Sequence, residues 1–167
     1  ARSYEDLIAT CRELHVEESE VEQMFARMVF NVMANNTDDH NKNFSFFLKE
    51  NGSWGIAPAY DVTFIFNVNG TGPNQDRRLG IGGKTSGITK EDLLDFARQN
   101  EIGGANEIID SVAAALGRID EYACQTGISR PWRAIIQKTL HSTLASFGYL
   151  PGSDNNDQEI CDCFPPE

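Results

Sequence analysis

Residues 36–43 form a polar stretch, NTDDHNKN, that separates a predicted helix from a predicted β-hairpin. A long amphipathic helix is predicted directly before it, because apolar residues recur with the spacing of one helix face. These residues are Val21, Met24, Phe25, Met28, Val29 and Val32. The helix should begin near Glu17 to Glu20, where negative charge suits a helix N-terminus, and run to about Ala34. The polar stretch is therefore predicted to be a loop at the end of a buried helix.

A β-hairpin is predicted directly after the polar stretch. Phe44 to Leu48 reads as a strand, Asn51-Gly52 is a strong hairpin-turn signal, and Trp54 to Ala57 reads as the returning strand. A proline-containing turn then leads the chain to Tyr60 and Asp61. The predicted order is thus helix, polar loop, hairpin and acidic turn.

Three side chains in this region have the spacing that phosphoryl transfer uses. That reaction needs a carboxylate that accepts the proton of the substrate hydroxyl and a nearby side-chain oxygen that holds Mg²⁺, arranged as Asp-x-x-x-x-Asn. Asp38 and Asn43 have this arrangement. A second carboxylate beyond a hairpin coordinates the metal that bridges the ATP phosphates, and Asp61 lies where that residue should be. These three residues form the candidate site.

The same residues resemble the signature of a known kinase family. Asn-Thr-Asp-x-His-x-Lys-Asn-Phe-Ser at 36–45, followed by Ala-Pro-Ala-Tyr-Asp at 57–61, looks like the pattern of HipA-like bacterial serine/threonine kinases. The resemblance implies a protein-kinase-like C-terminal catalytic lobe, mainly α with a small β-hairpin, that uses ATP and Mg²⁺. It implies that Asp38 is the catalytic base and that Asn43 and Asp61 are Mg²⁺ ligands.

Neighbouring side chains have more than one possible role by this resemblance. His40 and Lys42 are further candidate catalytic residues: His40 contacts the γ-phosphate or orients the loop, and Lys42 neutralises phosphate or is solvated. Tyr60 is a candidate cofactor-binding residue, or else it packs beside the metal site. Asp39 lacks the spacing of the predicted base, so it is predicted to be a solvated loop charge.

The resemblance also implies partners. A full-length enzyme of this kind is the toxin of a toxin–antitoxin pair, with a HipB-like DNA-binding antitoxin as its partner. Its protein substrate is expected to be a translation component such as an aminoacyl-tRNA synthetase. No Gly-rich phosphate-covering loop and no strand lysine precede the catalytic loop in this sequence. The nucleotide-binding N-terminal lobe is therefore expected to be missing, and these residues alone are expected to be inactive.

The second half of the sequence is predicted to be helical after a short strand at Arg77 to Lys84. Thr89 should cap a helix from Lys90 to about Gln99, with Asp92 in the capping-box position. Two longer helices follow, each with one apolar stripe. The stripes are Ile108, Val112, Leu116, Ile119 and Ala123, then Trp132, Ile136, Leu140, Leu144 and Phe147.

The composition excludes several classes of function. Lys and Arg number 14 against 25 Asp and Glu, and the net charge of −11 disfavours direct contact with nucleic acid or with an anionic membrane. No apolar run is long enough to cross a bilayer, and the 4 cysteines are too irregularly spaced for a disulfide framework. We expect a cytoplasmic protein with one domain at residues 1–150 and a flexible tail at residues 151–167.

Two other functions remain open on the sequence alone. One is a non-catalytic interaction or regulatory module, although the intact Asp38, Asn43 and Asp61 argue against it. The other is a metal-dependent phosphohydrolase, which lacks the further ligands that a two-metal site gathers. That enzyme would use four side chains of the loop and the acidic turn, Asp38, Asp39, His40 and Asp61.

Overall fold

The structure is a computed structural model that describes residues 2–65 and 76–149. These ranges form six α-helices and one two-stranded antiparallel sheet, which confirms the prediction of a mainly helical fold with a small hairpin. The helices are α1 (Tyr4–Glu13), α2 (Glu18–Met33), α3 (Lys90–Gln99), α4 (Ala105–Gly117), α5 (Ile119–Gln125) and α6 (Arg130–Ser146). The strands are β1 (Phe46–Leu48) and β2 (Trp54–Ile56). The predicted tail at 151–167 lies outside the described residues.

Helix α2 is the centre of the fold, because α1, α4, α6 and β2 all contact it. Its predicted apolar stripe is confirmed, and each large side chain removed from water there contributes roughly 1.5–3 kcal/mol. The buried apolar residues of α2 are Val21, Met24, Phe25, Met28, Val29, Val32 and Met33. Phe25 also stacks on Phe96 of α3, with ring centroids 6.1 Å apart. The end of α2 is therefore a firmly packed base for the loop that follows.

Helix α2 ends in a tight reversal at Asn35. This residue has φ +56, and the Asn36 N–H donates to the Asn31 carbonyl at 3.0 Å. These are features of the Schellman motif, in which a residue in the left-handed conformation satisfies the last helix carbonyls. His15 has the same conformation after α1, with φ +53, so it lies beyond the end of that helix. The motif directs the chain from α2 straight into the polar loop.

The predicted hairpin is confirmed and is short. The paired residues are Phe46 with Ile56, Phe47 with Gly55, and Leu48 with Trp54. Gly52 in the turn has φ +83, a conformation that a residue with a side chain rarely adopts. Ile56 is buried in the core, whereas Phe47 and Leu48 are exposed. The hairpin thus packs on the core through Ile56 and the half-buried Phe46, and it presents Phe47 and Leu48 to solvent.

Residues 77–84 form a tight turn and not the predicted short strand. Isolated β-bridges pair Ser3 with Gly80 and Ile81 with Lys84. Gly82 and Gly83 have φ +56 and +77, so the chain reverses at once and an extended strand cannot form. The bridge to Ser3 attaches this turn to the start of α1.

Helix α3 begins as predicted. The Asp92 carboxylate accepts from the Thr89 N–H at 2.9 Å, and the Asp92 N–H donates to the Thr89 hydroxyl at 3.3 Å. Both halves of the capping box are therefore present. Lys84 adds a contact from the preceding turn, with its Nζ 2.6 Å from the Asp92 carboxylate.

The last part of the fold differs from the prediction in two places. The stripe predicted for one helix at 108–123 is divided between α4 and α5, because the chain leaves the helical conformation at Arg118, directly after Gly117. Trp132 was predicted to join the apolar stripe of α6 but is 61% exposed. The buried part of α6 lies further along the helix, at Leu140 and Leu144.

Candidate active site

Asp38 and Asn43 are held together as one unit. The chain makes a short 3₁₀ turn at Asn41–Asn43, and the Asn43 Nδ2 donates to the Asp38 carbonyl oxygen at 3.2 Å. The His40 N–H donates to the same carbonyl at 2.9 Å. The Asp38 side chain is 35% exposed. The backbone of the candidate base is thus fixed by the candidate metal ligand, while its carboxylate reaches solvent.

Asn43 and Asp61 line one cavity of about 220 Å³. Asp61 is exposed and has φ +53, an uncommon conformation for a residue other than glycine. Such conformations concentrate at functional sites. Helix α2 supplies Arg27, Phe30 and Asn31 to the same wall. The structure therefore brings the two predicted oxygen ligands to one concave space beside α2.

Tyr60 links the acidic turn to the loop. Its hydroxyl donates to the Lys42 carbonyl at 2.8 Å and shares a hydrogen bond of 2.5 Å with the Ser45 hydroxyl. Tyr60 also lines the cavity next to Asp61. Its contacts anchor the backbone on which Asp61 stands, since the two residues are consecutive.

The side chains of His40 and Lys42 are not brought to the cavity, whose walls are formed by other residues. Lys42 is exposed on the 3₁₀ turn. His40 is half-buried, and its Nδ1 is enclosed without a hydrogen-bond partner among the described residues. The phosphate contacts suggested for these two residues stay predictions.

Asp39 is fully buried, so the prediction that it is a solvated loop charge is wrong. Its Oδ2 accepts from Arg77 at 2.7 Å, and its Oδ1 accepts from the Arg78 and Leu79 N–H groups at 2.9 and 3.4 Å. A buried carboxylate needs a cation and several donors to offset the loss of hydration. Residues 77–79 supply this cation and these N–H donors. They lie far from Asp39 along the chain, which is why the local sequence did not reveal that Asp39 is a buried ion-pair partner.

The Asp39 carboxylate also joins a buried chain of hydrogen bonds. The Tyr4 hydroxyl donates to Asp39 at 2.8 Å and accepts from Asn31 at 2.9 Å, and the Asn36 amide donates to Asn31 at 3.0 Å. Burial, followed by the charge of Asp39, raises the pKa of Tyr4 well above its ordinary value. Tyr4 therefore keeps its proton and acts as a donor. These hydrogen bonds connect α1, α2 and the polar loop.

Arg78 lies beside the candidate base. Its Nε is 3.4 Å from the Asp38 Oδ1, and its side chain is 58% exposed. The backbone of the turn that carries Arg78 is hydrogen-bonded to the Asp39 carboxylate. Sequence reasoning missed this residue, because no spacing rule connects positions separated by 40 residues.

A protein-family comparison fits this arrangement. The family model described as the HipA-like C-terminal domain matches residues 1–122. The chain belongs to this family. The match includes the polar loop, the acidic turn and the turn at 77–84, and it ends within α5. A search of the curated proteins found no match for this HipA-like domain.

The cavity of this HipA-like domain also contains polar groups without partners. Burial lowers the pKa of Arg27, and its side chain makes no hydrogen bond or ion pair with the described residues. The Oδ1 of Asn36, a residue that is 2% exposed, likewise has no partner there. Both residues line the cavity. Its wall therefore offers one donor group and one acceptor group to a bound molecule.

None of the helices in the described ranges of the HipA-like domain combines the length and the hydropathy of a membrane-spanning segment. The two cysteines in these ranges, Cys11 and Cys124, are buried. Burial raises the pKa of Cys11 to about 11, so it is an unreactive thiol at neutral pH.

Proposed function

We propose that this HipA-like domain is the catalytic lobe of an ATP- and Mg²⁺-dependent serine/threonine protein kinase. One observation carries the proposal: Asn43 and Asp61 line the same cavity, and Asn43 is hydrogen-bonded to the backbone of Asp38. Asp38 itself does not line the cavity, but its backbone is bonded to one of the two oxygen ligands that do. A proton acceptor and two oxygen ligands are the parts that phosphoryl transfer needs.

The oxygen ligands offered by Asn43 and Asp61 suit a Mg²⁺ ion that is also coordinated by the phosphates of a nucleotide. Asn43 uses its Nδ2 on the Asp38 carbonyl and keeps its Oδ1 as a ligand, while Asp61 supplies a carboxylate from an exposed turn. Mg²⁺ in such enzymes is bound by one or two carboxylates together with substrate phosphates, and it neutralises the charge of those phosphates. Asp39 also lines the cavity, but its carboxylate is bonded to Arg77 and to two backbone N–H groups. Asp61 is then the carboxylate that is available to a metal that arrives with ATP.

Asp38 would accept a proton in the transfer step. The oxygen of a protein hydroxyl forms a bond to the γ-phosphorus, the bond from that phosphorus to the β–γ bridging oxygen breaks, and ADP leaves with the bonding electrons. The hydroxyl proton moves to the Asp38 carboxylate. His40 would contact the γ-phosphate or orient the loop, and Lys42 would neutralise phosphate or remain solvated. Tyr60 would fix the Asp61 turn.

The proposal extends to the whole enzyme. It includes a cytoplasmic location, an N-terminal lobe that completes the ATP site, a HipB-like DNA-binding antitoxin, and a protein substrate such as an aminoacyl-tRNA synthetase. The toxin role follows from the family and not from the geometry of the site.

A phosphohydrolase is less well supported. Asp39, one of its four required ligands, is enclosed and bonded to Arg77. The described residues also contain no group of three or more His, Cys, Asp or Glu side chains that could hold a metal ion. A hydrolytic two-metal site needs such a group.

The test is transfer of labelled γ-phosphate by the complete gene product, comparing wild type with Asp61→Asn. Asparagine tolerates the left-handed conformation of position 61, so the variant changes the charge without adding backbone strain. We expect label on serine or threonine with the wild type, and a much higher Mg²⁺ requirement with the variant. Asp95→Asn on α3 is the matched control and should behave as wild type. A wild-type protein that folds but transfers no phosphate would support the non-catalytic module instead.

A further inference from the structure

The buried Asp39 carboxylate holds three consecutive residues of the turn at 77–84. It accepts from the Arg77 side chain at 2.7 Å, from the Arg78 N–H at 2.9 Å and from the Leu79 N–H at 3.4 Å. The Asp39 side chain is 0% exposed and that of Arg77 is 6% exposed, so water does not compete for these bonds. The backbone of Arg78 is thus fixed relative to the loop at 38–40.

While the backbone of Arg78 is bonded to Asp39, its side chain extends to the candidate base, Asp38. Its Nε lies 3.4 Å from the Asp38 Oδ1. An exposed ion pair of this kind contributes only about 0–1 kcal/mol to stability. Stability therefore gives little reason to hold an arginine at this place, whereas the chemistry at Asp38 gives a strong one.

The remaining donors of Arg78 have no partner in the part of the chain that the structure describes. A guanidinium has five N–H donors in a planar fork that matches phosphate oxygens. Arg78 uses Nε on Asp38, and its terminal nitrogens make no hydrogen bond to the described residues. A phosphoryl group beside Asp38 would therefore meet unused donors.

We propose that Arg78 is a further catalytic residue, whose guanidinium contacts the transferred phosphoryl group while Asp38 accepts the hydroxyl proton. This inference rests on the proposed kinase function. As the bond to the leaving oxygen breaks and the bond to the substrate oxygen forms, negative charge spreads over the three peripheral phosphoryl oxygens. The Arg78 cation stabilises that charge most in the transition state, so it raises kcat more than it lowers KM.

The position of Arg78 distinguishes it from the other cations near the loop. Lys42 is exposed and makes no ion pair with the described residues, and Arg27 lies in the cavity wall on α2. Only Arg78, among the described cationic side chains, makes an ion pair with Asp38. Asp39 is then a positioning residue, because it acts on the reaction through Arg78.

The test measures kcat and KM for ATP with the complete gene product carrying Arg78→Gln or Arg78→Lys. We expect kcat to fall about 100-fold or more with glutamine, as for the loss of one transition-state donor, with a smaller change in KM. Lysine keeps the charge and should restore part of kcat. Arg118→Gln removes another exposed arginine with a carboxylate partner, and it should leave both constants unchanged.

The outcomes separate the two proposals. If the wild type transfers phosphate, Asp38→Asn abolishes transfer and Arg78→Gln keeps the wild-type kcat, the role of Arg78 is wrong and the kinase function stands. If the wild type transfers no phosphate, both proposals fail. Because Arg78 is exposed, its variants should keep the melting temperature of the wild type, and this measurement excludes loss of the fold as the cause of a low kcat.

Discussion

At the scale of single residues, two adjacent aspartates have opposite environments. The Asp38 side chain reaches solvent, and that of Asp39 is fully enclosed. The spacing to Asn43 was enough to select Asp38 from the sequence. Burial of Asp39 could not be predicted in the same way, because its partners Tyr4 and Arg77 are 35 and 38 residues away.

Replacing Asp39 should destabilise the fold strongly. We expect Asp39→Ala to lower the free energy of unfolding by about 3–5 kcal/mol, because it leaves the buried guanidinium of Arg77 unpaired. Urea denaturation measures the change. Asp38→Asn is the matched control and should cost less than about 1 kcal/mol, since its ion pair is exposed.

The double variant Asp39→Ala/Arg77→Met gives a second test of the same pair. Its loss of stability should be clearly smaller than the sum of the two single losses, because neither charge is then left alone. Additive losses would contradict the buried ion pair.

At the scale of elements, α1 and α6 are each followed by a residue with a left-handed backbone conformation, and only one of these two residues is a glycine. His15 follows α1 with φ +53, and Gly148 follows α6 with φ +85. Glycine adopts this conformation without strain and histidine does not. Introducing glycine at position 15 and removing it at position 148 should therefore change the stability in opposite directions.

His15→Gly should raise stability by about 0.5–1 kcal/mol, and Gly148→Ala should lower it by a similar amount. A methyl group at position 148 meets no atom within 4 Å, so strain is its main effect. Melting temperatures of the two variants measure both changes. Equal effects of the same sign would show that the left-handed caps are assigned wrongly.

The start of α3 should respond to pH. The Lys84 ammonium, followed by the Thr89 N–H, lowers the pKa of Asp92 from its ordinary value of 3.8. A lowered pKa in the folded state means that the stabilisation is fully present above 3.8 and is lost as the pH falls through the lowered value. The stability difference between wild type and Asp92→Ala, measured by urea denaturation, should therefore shrink on acidification. A difference that stays constant would contradict this assignment.

Two elements with strong local patterns were predicted well, and two places where the chain changes direction at or next to a glycine were not. The stripe of α2 and the capping box of α3 depend on residues within three or four positions of one another, so the sequence revealed both. The break at Arg118 carries no proline and interrupts a continuous apolar stripe. The turn at Gly82-Gly83 replaced a strand because consecutive residues with positive φ reverse the chain.

At the scale of the whole molecule, the network around Asp38 and Asp39 is assembled from three distant segments. The start of α1 supplies Tyr4, the loop after α2 supplies Asp38 and Asp39, and the turn after residue 76 supplies Arg77 and Arg78. All three lie within the part of the chain that matches the HipA-like C-terminal domain. A long-range network of this kind is available only to the folded domain.

Residues 1–167 alone should bind Mg·ATP weakly and transfer little phosphate, because their sequence has no Gly-rich loop or strand lysine to cradle the phosphates. Isothermal titration with Mg·ATP and an autophosphorylation assay measure this. Strong autophosphorylation by these residues alone would contradict the expectation that a second lobe completes the site.

The most direct test of the proposed kinase function is phosphate transfer by the complete gene product carrying Asp38→Asn. We predict that transfer falls to background while the melting temperature and the affinity for Mg·ATP stay at their wild-type values, because the substitution removes the proton acceptor and leaves the buried network at Asp39 intact. Transfer at the wild-type rate by the folded Asp38→Asn protein would contradict it.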